Sequence, residues 1–272
     1  VDFSSYLEAT DAAHCIRKPS TYVDDVIAHF HSPEINRGAK LPWPKTYGDI
    51  RMRPGEVTLW NGFNGSGKSL ILGQMCLSFI GQGESVCIAS MEMKPPVTLS
   101  RMCRQAFGDH SPDVDFIRYF HNVTDSGLWL YDQLGAVKTQ KMLAVVRYCA
   151  DKIKVKHIII DSLMKCGMGE DDYNGQKAFI DHLTAAARDY DIHVHLVTHA
   201  RKGNDELKPP GKMDVKGTGA ITDQVDNVIT VWRNKGKERA RENNGTVAPL
   251  DPDAILICDK QRNGEWEGSI GL

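Results

Sequence analysis

The residues Gly62-Phe63-Asn64-Gly65-Ser66-Gly67-Lys68-Ser69 fit G-x-x-x-x-G-K-[ST] in full, and no other feature of the chain constrains its fold so strongly. Such a motif needs a strand before it and a helix after it. Both are legible: Val57–Asn61 is a β-compatible apolar run, and Leu70, Ile71, Met75, Leu77, Phe79 and Ile80 give the next stretch a helical apolar pattern. Glycines let the loop curl so that successive N–H groups face phosphates, and the helix N-terminus adds its positive dipole end. Gly62, Asn64, Gly65, Ser66 and Gly67 are thus expected to cradle a nucleotide's phosphates. Lys68 would neutralise the β- and γ-phosphates, and the Ser69 hydroxyl would hold Mg²⁺.

The surrounding text repeats the strand-then-helix unit. Apolar runs at Val57–Asn61, Ser85–Ser90, His157–Asp161, His193–Thr198, Asn227–Arg233 and Ala254–Lys260 alternate with helical patterns near 67–80, 95–107, 136–152 and 173–190. This predicts an α/β fold with a mostly parallel sheet flanked by helices. The last two runs have no helical pattern between them, so they are expected to pair as a C-terminal antiparallel hairpin across the polar loop 234–253. With 272 residues, 41% of them hydrophobic, the chain suffices for one such core. Residues 1–40 read as an arm whose segment 22–30 puts Val23, Val26, Ile27 and Phe30 on one helical stripe. Leu41-Pro42-Trp43-Pro44 stops that helix, and 41–272 form the α/β domain. The first residue is Val1, as expected of a piece of a longer protein.

Charge narrows the partners. Lys and Arg number 33 against 35 Asp and Glu, a formal net charge of −2, so a generally basic nucleic-acid coat is excluded and any nucleic-acid contact must be local. No apolar run approaches the ~18–20 residues of a membrane span and no basic-then-apolar leader is present, so a cytoplasmic location is the expectation. The seven cysteines include no C-x-x-C pair and several sit in apolar runs, which reads as buried thiols rather than a zinc site or disulfide frame. His193 and His195 share one strand face and read as core or surface histidines.

Two carboxylates complete a hydrolytic site. Asp161 ends the run His157–Asp161, where a carboxylate would support Mg²⁺, although a strand-ending Asp also serves as a cap for the next turn. Glu92, in Ala89-Ser90-Met91-Glu92, lies just past the second strand, where it would project toward the phosphates and orient water. A loop Glu is otherwise simply solvated.

Taken in order, these motifs resemble the RecA-like, ring-shaped replicative DNA helicases: the helicase domain of phage primase-helicases, the mitochondrial Twinkle type and the bacterial hexameric helicases. The resemblance covers about residues 40–272. Ser90-Met91-Glu92 is similar to that family's catalytic-Glu motif. Leu196-Val197-Thr198-His199 resembles the motif whose last polar residue senses the γ-phosphate; the bacterial branch has Gln there, so His199 leans toward the phage and mitochondrial branches. Asp214-Val215-Lys216-Gly217-Thr218-Gly219-Ala220-Ile221 resembles the motif bearing the central-channel DNA loop. The stretch 201–216 holds five Lys or Arg against three acids. The resemblance implies single-stranded DNA contacts by Arg201, Lys202, Lys216, Gly217, Thr218 and Gly219. Lys260-Gln261-Arg262-Asn263-Gly264 is similar to the finger motif, in which Lys260 and Arg262 reach the neighbouring subunit's nucleotide. Arg233 matches a nucleotide-contacting Arg, and 22–30 takes the place of a linker helix.

The resemblance thus implies a motor domain that hydrolyses ATP or another NTP with Mg²⁺ at the interfaces of a homo-hexameric or heptameric ring. Its partners would be single-stranded DNA, other copies of itself, a primase and a polymerase. A recombination or regulatory ATPase of the RecA, RadA or KaiC type shares the loop, the Glu and the Asp. A P-loop scaffold with weak hydrolysis is the third reading.

Overall fold

Four runs, Val57–Asn61, Val86–Ser90, His157–Asp161 and His193–Val197, are buried at every position, so helices must cover both faces of the sheet they build. A computed structural model describes residues 17–31, 38–169, 171–201, 207–216, 219–243 and 251–272. The chain divides into Val1–Gly38 and Ala39–Leu272. In the first unit a 3₁₀ turn, Pro19–Tyr22, leads into α1, Val23–His31, the short helix expected there.

The second unit opens with β1 (Ala39–Lys40) and β2 (Arg51–Met52), an antiparallel pair that takes residues 39 and 40 into it. There follow β3 (Val57–Asn61), α2 (Lys68–Gly81), β4 (Val86–Ser90), α3 (Pro95–Phe107), α4 (Val114–Thr124), β5 (Leu128–Leu130), α5 (Thr139–Tyr148), β6 (His157–Asp161) and α6 (Tyr173–Tyr190). The chain closes with β7 (His193–Val197), α7 (Gly219–Gln224), β8 (Asn227–Arg233), α8 (Lys235–Glu242), β9 (Ala254–Gln261) and β10 (Gly268–Gly271).

The main sheet runs β10-β9-β8-β3-β7-β6-β4-β5. From β8 to β5 every pairing is parallel, whereas β8–β9 and β9–β10 are antiparallel. Successive strand residues go to opposite faces, as the two-residue period requires. Leu59, Ala89, Ile158 and Leu196 pack with Phe179, Ile180 and Leu183 of α6 on one face. Trp60, Ile88, Ile159 and Val197 pack with Leu72, Met75 and Phe79 of α2 and Met102 of α3 on the other. The consequence for function lies in the strand order. Because β3, β7, β6 and β4 are consecutive neighbours and parallel, the residues after their C-terminal ends meet along one edge.

Three expectations change in detail. The antiparallel partners are as expected, but the connection 234–253 is not all loop: Asn234 caps α8 by accepting from Lys237 N, and β10 adds a third strand. The helix expected over 136–152 is α5 followed by a π turn, Cys149–Ile153. Finally, α4 and β5 fill a stretch without an expected element, although Asp113 caps α4 by accepting from Phe116 N at 2.7 Å. The six described cysteines are all buried free thiols, and Cys15 lies outside the described residues.

Candidate active site

The loop after β3 turns on glycines at φ +151° (Gly62), +74° (Gly65) and +91° (Gly67). Those values are costly for residues with a Cβ. At Gly62 space forbids one as well, since it would sit 2.4 Å from Val231 O and 2.7 Å from Ser66 Oγ. Gly67 starts α2, accepting from Leu70 N and Ile71 N, so the N–H groups of Lys68 and Ser69 face outward at the positive helix end. The Ser66 hydroxyl is buried and finds no partner among the described residues. Lys68 is buried too, and its ammonium donates to Gly62 O at 2.8 Å and Phe63 O at 2.9 Å. Two of three donors thus hold the loop's own shape, leaving one for a ligand. Burial pulls the Lys68 pKa down to about 8 against the pull of Asp161 and Glu92, so the side chain stays mostly cationic at neutral pH.

Opposite stand the carboxylates. Ser90 of β4 pairs with Asp161 of β6, and Met91 N donates to Asp161 O at 2.9 Å, which brings Glu92 beside Asp161. Ser69 Oγ donates to Asp161 Oδ2 at 3.2 Å. Burial, and then the nearby Glu92 charge, raise the Asp161 pKa. Glu92 goes the other way: His199 chiefly, with Ser162 and Lys165, holds its carboxyl below the ordinary range. His199 Nε2 is 3.8 Å from Glu92 Oε1, beyond a direct hydrogen bond, while Ser162 Oγ donates to the same oxygen at 3.1 Å. Hence Glu92 is ionised at neutral pH and suited to orienting water, whereas Asp161 gains most from a cation. Mg²⁺ takes hard oxygen donors and keeps few protein ligands. Ser69 and Asp161 fit it on that count. Among the described residues no three of His, Cys, Asp and Glu come together to hold a metal.

Asn64 to Ser69, Glu92, Asp161, His199, Lys216 and Arg233 line a single cleft of about 1030 Å³. Sequence reading missed its far wall, which is Arg101 and Arg104 of α3. The signal was available: one face of that helix packs Thr98, Met102 and Cys103 in the core, which turns an i, i+3 pair of arginines to the side, just after Glu92. Arg233 is held by Glu238 of α8.

Lys216 is tied to His199 directly. Its N–H donates to His199 O at 2.8 Å, and Ala200 bridges Val215 antiparallel. Arg201 clamps the same segment, with N on Asp214 O at 2.7 Å and Nε on Val215 O at 3.2 Å. Lys216 therefore stands in the wall of the nucleotide cleft as well as at the foot of the expected DNA loop. Gly219 opens α7; Lys202, Gly217 and Thr218 lie outside the described residues.

Lys260 and Arg262 are not in this cleft. Arg262 N donates to Asp226 O and Asp226 N to Val57 O, which places both residues beside the start of β3, at the far end of the sheet from the P-loop. A five-residue strand spans roughly 13–17 Å. Lys260 Nζ donates to Thr222 O at 2.9 Å, Asp223 O at 2.8 Å and Val225 O at 2.8 Å, capping the end of α7.

A family described as an AAA domain matches residues 28–205. The chain belongs to that AAA-domain family. The matched span takes in Lys68, Glu92, Asp161 and His199, and ends before Lys216, Arg233, Lys260 and Arg262. Among solved structures, one described as an ATPase domain superposes with a TM-score of 0.77 at 15% identity, covering 94% of this chain and 95% of that one. A second, described as the structure of a DnaB-like replicative helicase and its interactions with primase, gives 0.75 at 15% identity over 98% of this chain and 68% of that one. At that identity the likeness is one of fold, and it makes this AAA-domain protein RecA-like in architecture, as the motif order implied. No helix of the described residues is long and apolar enough to cross a membrane.

Proposed function

We propose that the chain is the motor domain of a replicative DNA helicase, hydrolysing ATP or another NTP between the subunits of a ring. One observation carries this reading. The cleft brings together the loop 62–69, Glu92, Asp161 and His199 from neighbouring strand ends, while Arg262 stands at the opposite sheet end, outside that cleft. An arginine so placed serves a nucleotide only on another copy.

In the cleft, the N–H groups at the start of α2 and the third donor of Lys68 bind phosphate oxygens. Mg²⁺, held by Ser69 and Asp161, would supply charge neutralisation on those phosphates. Glu92, fixed at one oxygen by Ser162, accepts a hydrogen bond from the attacking water and aims it. Arg262 of the adjacent copy stabilises the transferring phosphoryl group. His199 faces Glu92 with Nε2 and holds Lys216 by its carbonyl, so a change at the γ-phosphate moves the foot of the basic segment. Backbone contacts there grip single-stranded DNA without reading its sequence. A primase and a polymerase are the expected partners, in the cytoplasm of a bacterial or phage-infected cell.

The deciding experiment combines forked-DNA unwinding with images of particles formed with nucleotide and single-stranded DNA. Closed rings that unwind forks with NTP support the proposal. Filaments, or rings that hydrolyse without unwinding, would transfer the chain to recombination or regulatory ATPases.

A further inference from the structure

At the strand-start end of the sheet, one carboxylate oxygen serves two guanidinium groups. Arg262 Nη1 lies 3.2 Å and Arg188 Nη2 3.4 Å from the same Asp226 Oδ1, while Oδ2 accepts from Val57 N at 2.9 Å. Asp226 is 2% exposed, whereas the side chains of Arg262 and Arg188 are 41% and 55% exposed. A buried carboxylate stripped of its only cation is strongly unfavourable. Arg262 can leave Asp226 readily only if another cation stays behind. Arg188 is the cation left in direct contact, from the last turn of α6, an element separate from the strand that leads to Arg262, whereas Lys260 interacts with Asp226 while its donors are taken by carbonyls.

We infer that Arg188 is a positioning residue for turnover: it keeps Asp226 neutralised, so that Arg262 exchanges between its own Asp226 and the phosphoryl group of the adjacent copy. The inference rests on the in-trans reading of Arg262 given above. Two further contacts agree with it. Besides Asp226, the Arg262 guanidinium meets two carbonyls at the end of α7, Asp223 O at 3.1 Å and Gln224 O at 3.4 Å, which water replaces easily. Lys260, by contrast, has all three of its donors on carbonyls and stays, so the strand end is anchored while one side chain moves.

The test is steady-state hydrolysis by the full chain with single-stranded DNA, comparing Arg188→Gln and Arg188→Lys with the parent, and Arg262→Ala with the double variant Arg188→Gln/Arg262→Ala. Arg188 is half exposed, so its replacement should leave the fold intact. Arg188→Gln should lower kcat by roughly 10–100-fold with KM unchanged, as for misplaced catalytic groups. Arg188→Lys should recover most of that loss. In the Arg262→Ala background, Arg188→Gln should lower stability, since Asp226 then loses both guanidinium partners, yet should cost nothing more in kcat per folded molecule, because residues acting through one step are not additive. An unchanged kcat, a loss explained by a smaller folded fraction, or an equal further loss without Arg262 would each overturn the inference. Parental turnover by Arg262→Ala alone would instead sink the in-trans reading, whatever Arg188→Gln does.

Discussion

Ser162 donates its hydroxyl to Glu92 Oε1 at 3.1 Å, across the gap between the ends of β6 and β4. Fully buried Ser162 thereby fixes one oxygen of a carboxylate whose other oxygen is left for water in the cleft. Glu92→Gln should bind nucleotide at near-parental affinity yet lose turnover by about 10²–10⁴-fold, since an amide cannot act as a base. Ser162→Ala should lower kcat less and leave KM alone. Fluorescent-nucleotide binding alongside single-turnover hydrolysis reads both, and a Glu92→Gln protein that turns over normally would move the water-activating role elsewhere.

Lys68 serves the loop as well as the ligand. Lys68→Ala should abolish turnover, and it should also destabilise the protein by about 1–3 kcal/mol, because Gly62 O and Phe63 O lose their buried donor. Denaturant midpoints with and without nucleotide test this. Parental stability would show that water replaces the ammonium freely; parental turnover would remove Lys68 from the site.

Stability should fall on mild acidification, for a reason set in the core. Trp60 Nε1–H can only donate, so His195 accepts at Nδ1 and donates from Nε2 toward His157 Nδ1, 3.2 Å away. His193 donates from Nδ1 to Arg53 O at 2.6 Å and accepts from Thr58 at Nε2. All three rings are therefore neutral in the fold. Burial brings His193 down to about 4 and holds His157 and His195 well below 6.5, with the neighbouring histidines adding to the effect on those two. A cationic acid whose folded pKa is depressed contributes its stability above the unfolded value, near 6.5, and loses it as pH falls toward the folded value. Each histidine should cost about 1.4 kcal/mol per pH unit in that window. Urea unfolding at pH 7.5, 6.0 and 5.0 measures the slope, and a flat profile would mean that the cluster takes up protons without unfolding.

The same core shows what sequence could and could not disclose. The strands of the parallel sheet were legible because Val57–Asn61 and His157–Asp161 are continuous β-compatible runs, and both come out at the expected bounds. The P-loop followed from its spacing together with the strand run before it and the helical pattern after it. Glu92 needed the resemblance, since a loop Glu has no local signature until β4 is seen to lie beside β6. Ser162 and Arg188 could not be found from sequence: each matters through a partner, Glu92 or Asp226, that is distant in the chain and brought near by sheet order, which periodicity does not encode. The helix α8 escaped because its eight residues, Lys235–Glu242, carry almost no apolar stripe.

Lys216 stands where nucleotide and DNA readings meet. Lys216→Ala should weaken single-stranded DNA binding equally for two unrelated oligonucleotides and reduce the salt slope by about 0.7, one phosphate's worth on a single strand. A raised nucleotide KM with unaltered DNA binding would assign Lys216 to the cleft alone.

Arg262 gives the sharpest test of the ring, because its distance from its own P-loop makes a claim no single-subunit site can imitate. If Arg262 stabilises charge on the adjacent copy's phosphoryl group, Arg262→Ala should reduce turnover at saturating nucleotide by about 10³–10⁵-fold while binding suffers less. Lys68→Ala is inactive for the opposite reason, having an intact finger and a failed phosphate loop. Mixing the two proteins creates some interfaces in which an intact loop faces an intact finger, so the mixture should hydrolyse faster than either component. The gain should depend on the mixing ratio and vanish when subunit exchange is blocked by crosslinking each protein beforehand. A mixture as inactive as its parents, in rings shown to contain both, would place the action of Arg262 within its own subunit, contrary to the sheet geometry that puts it at the other end of β3.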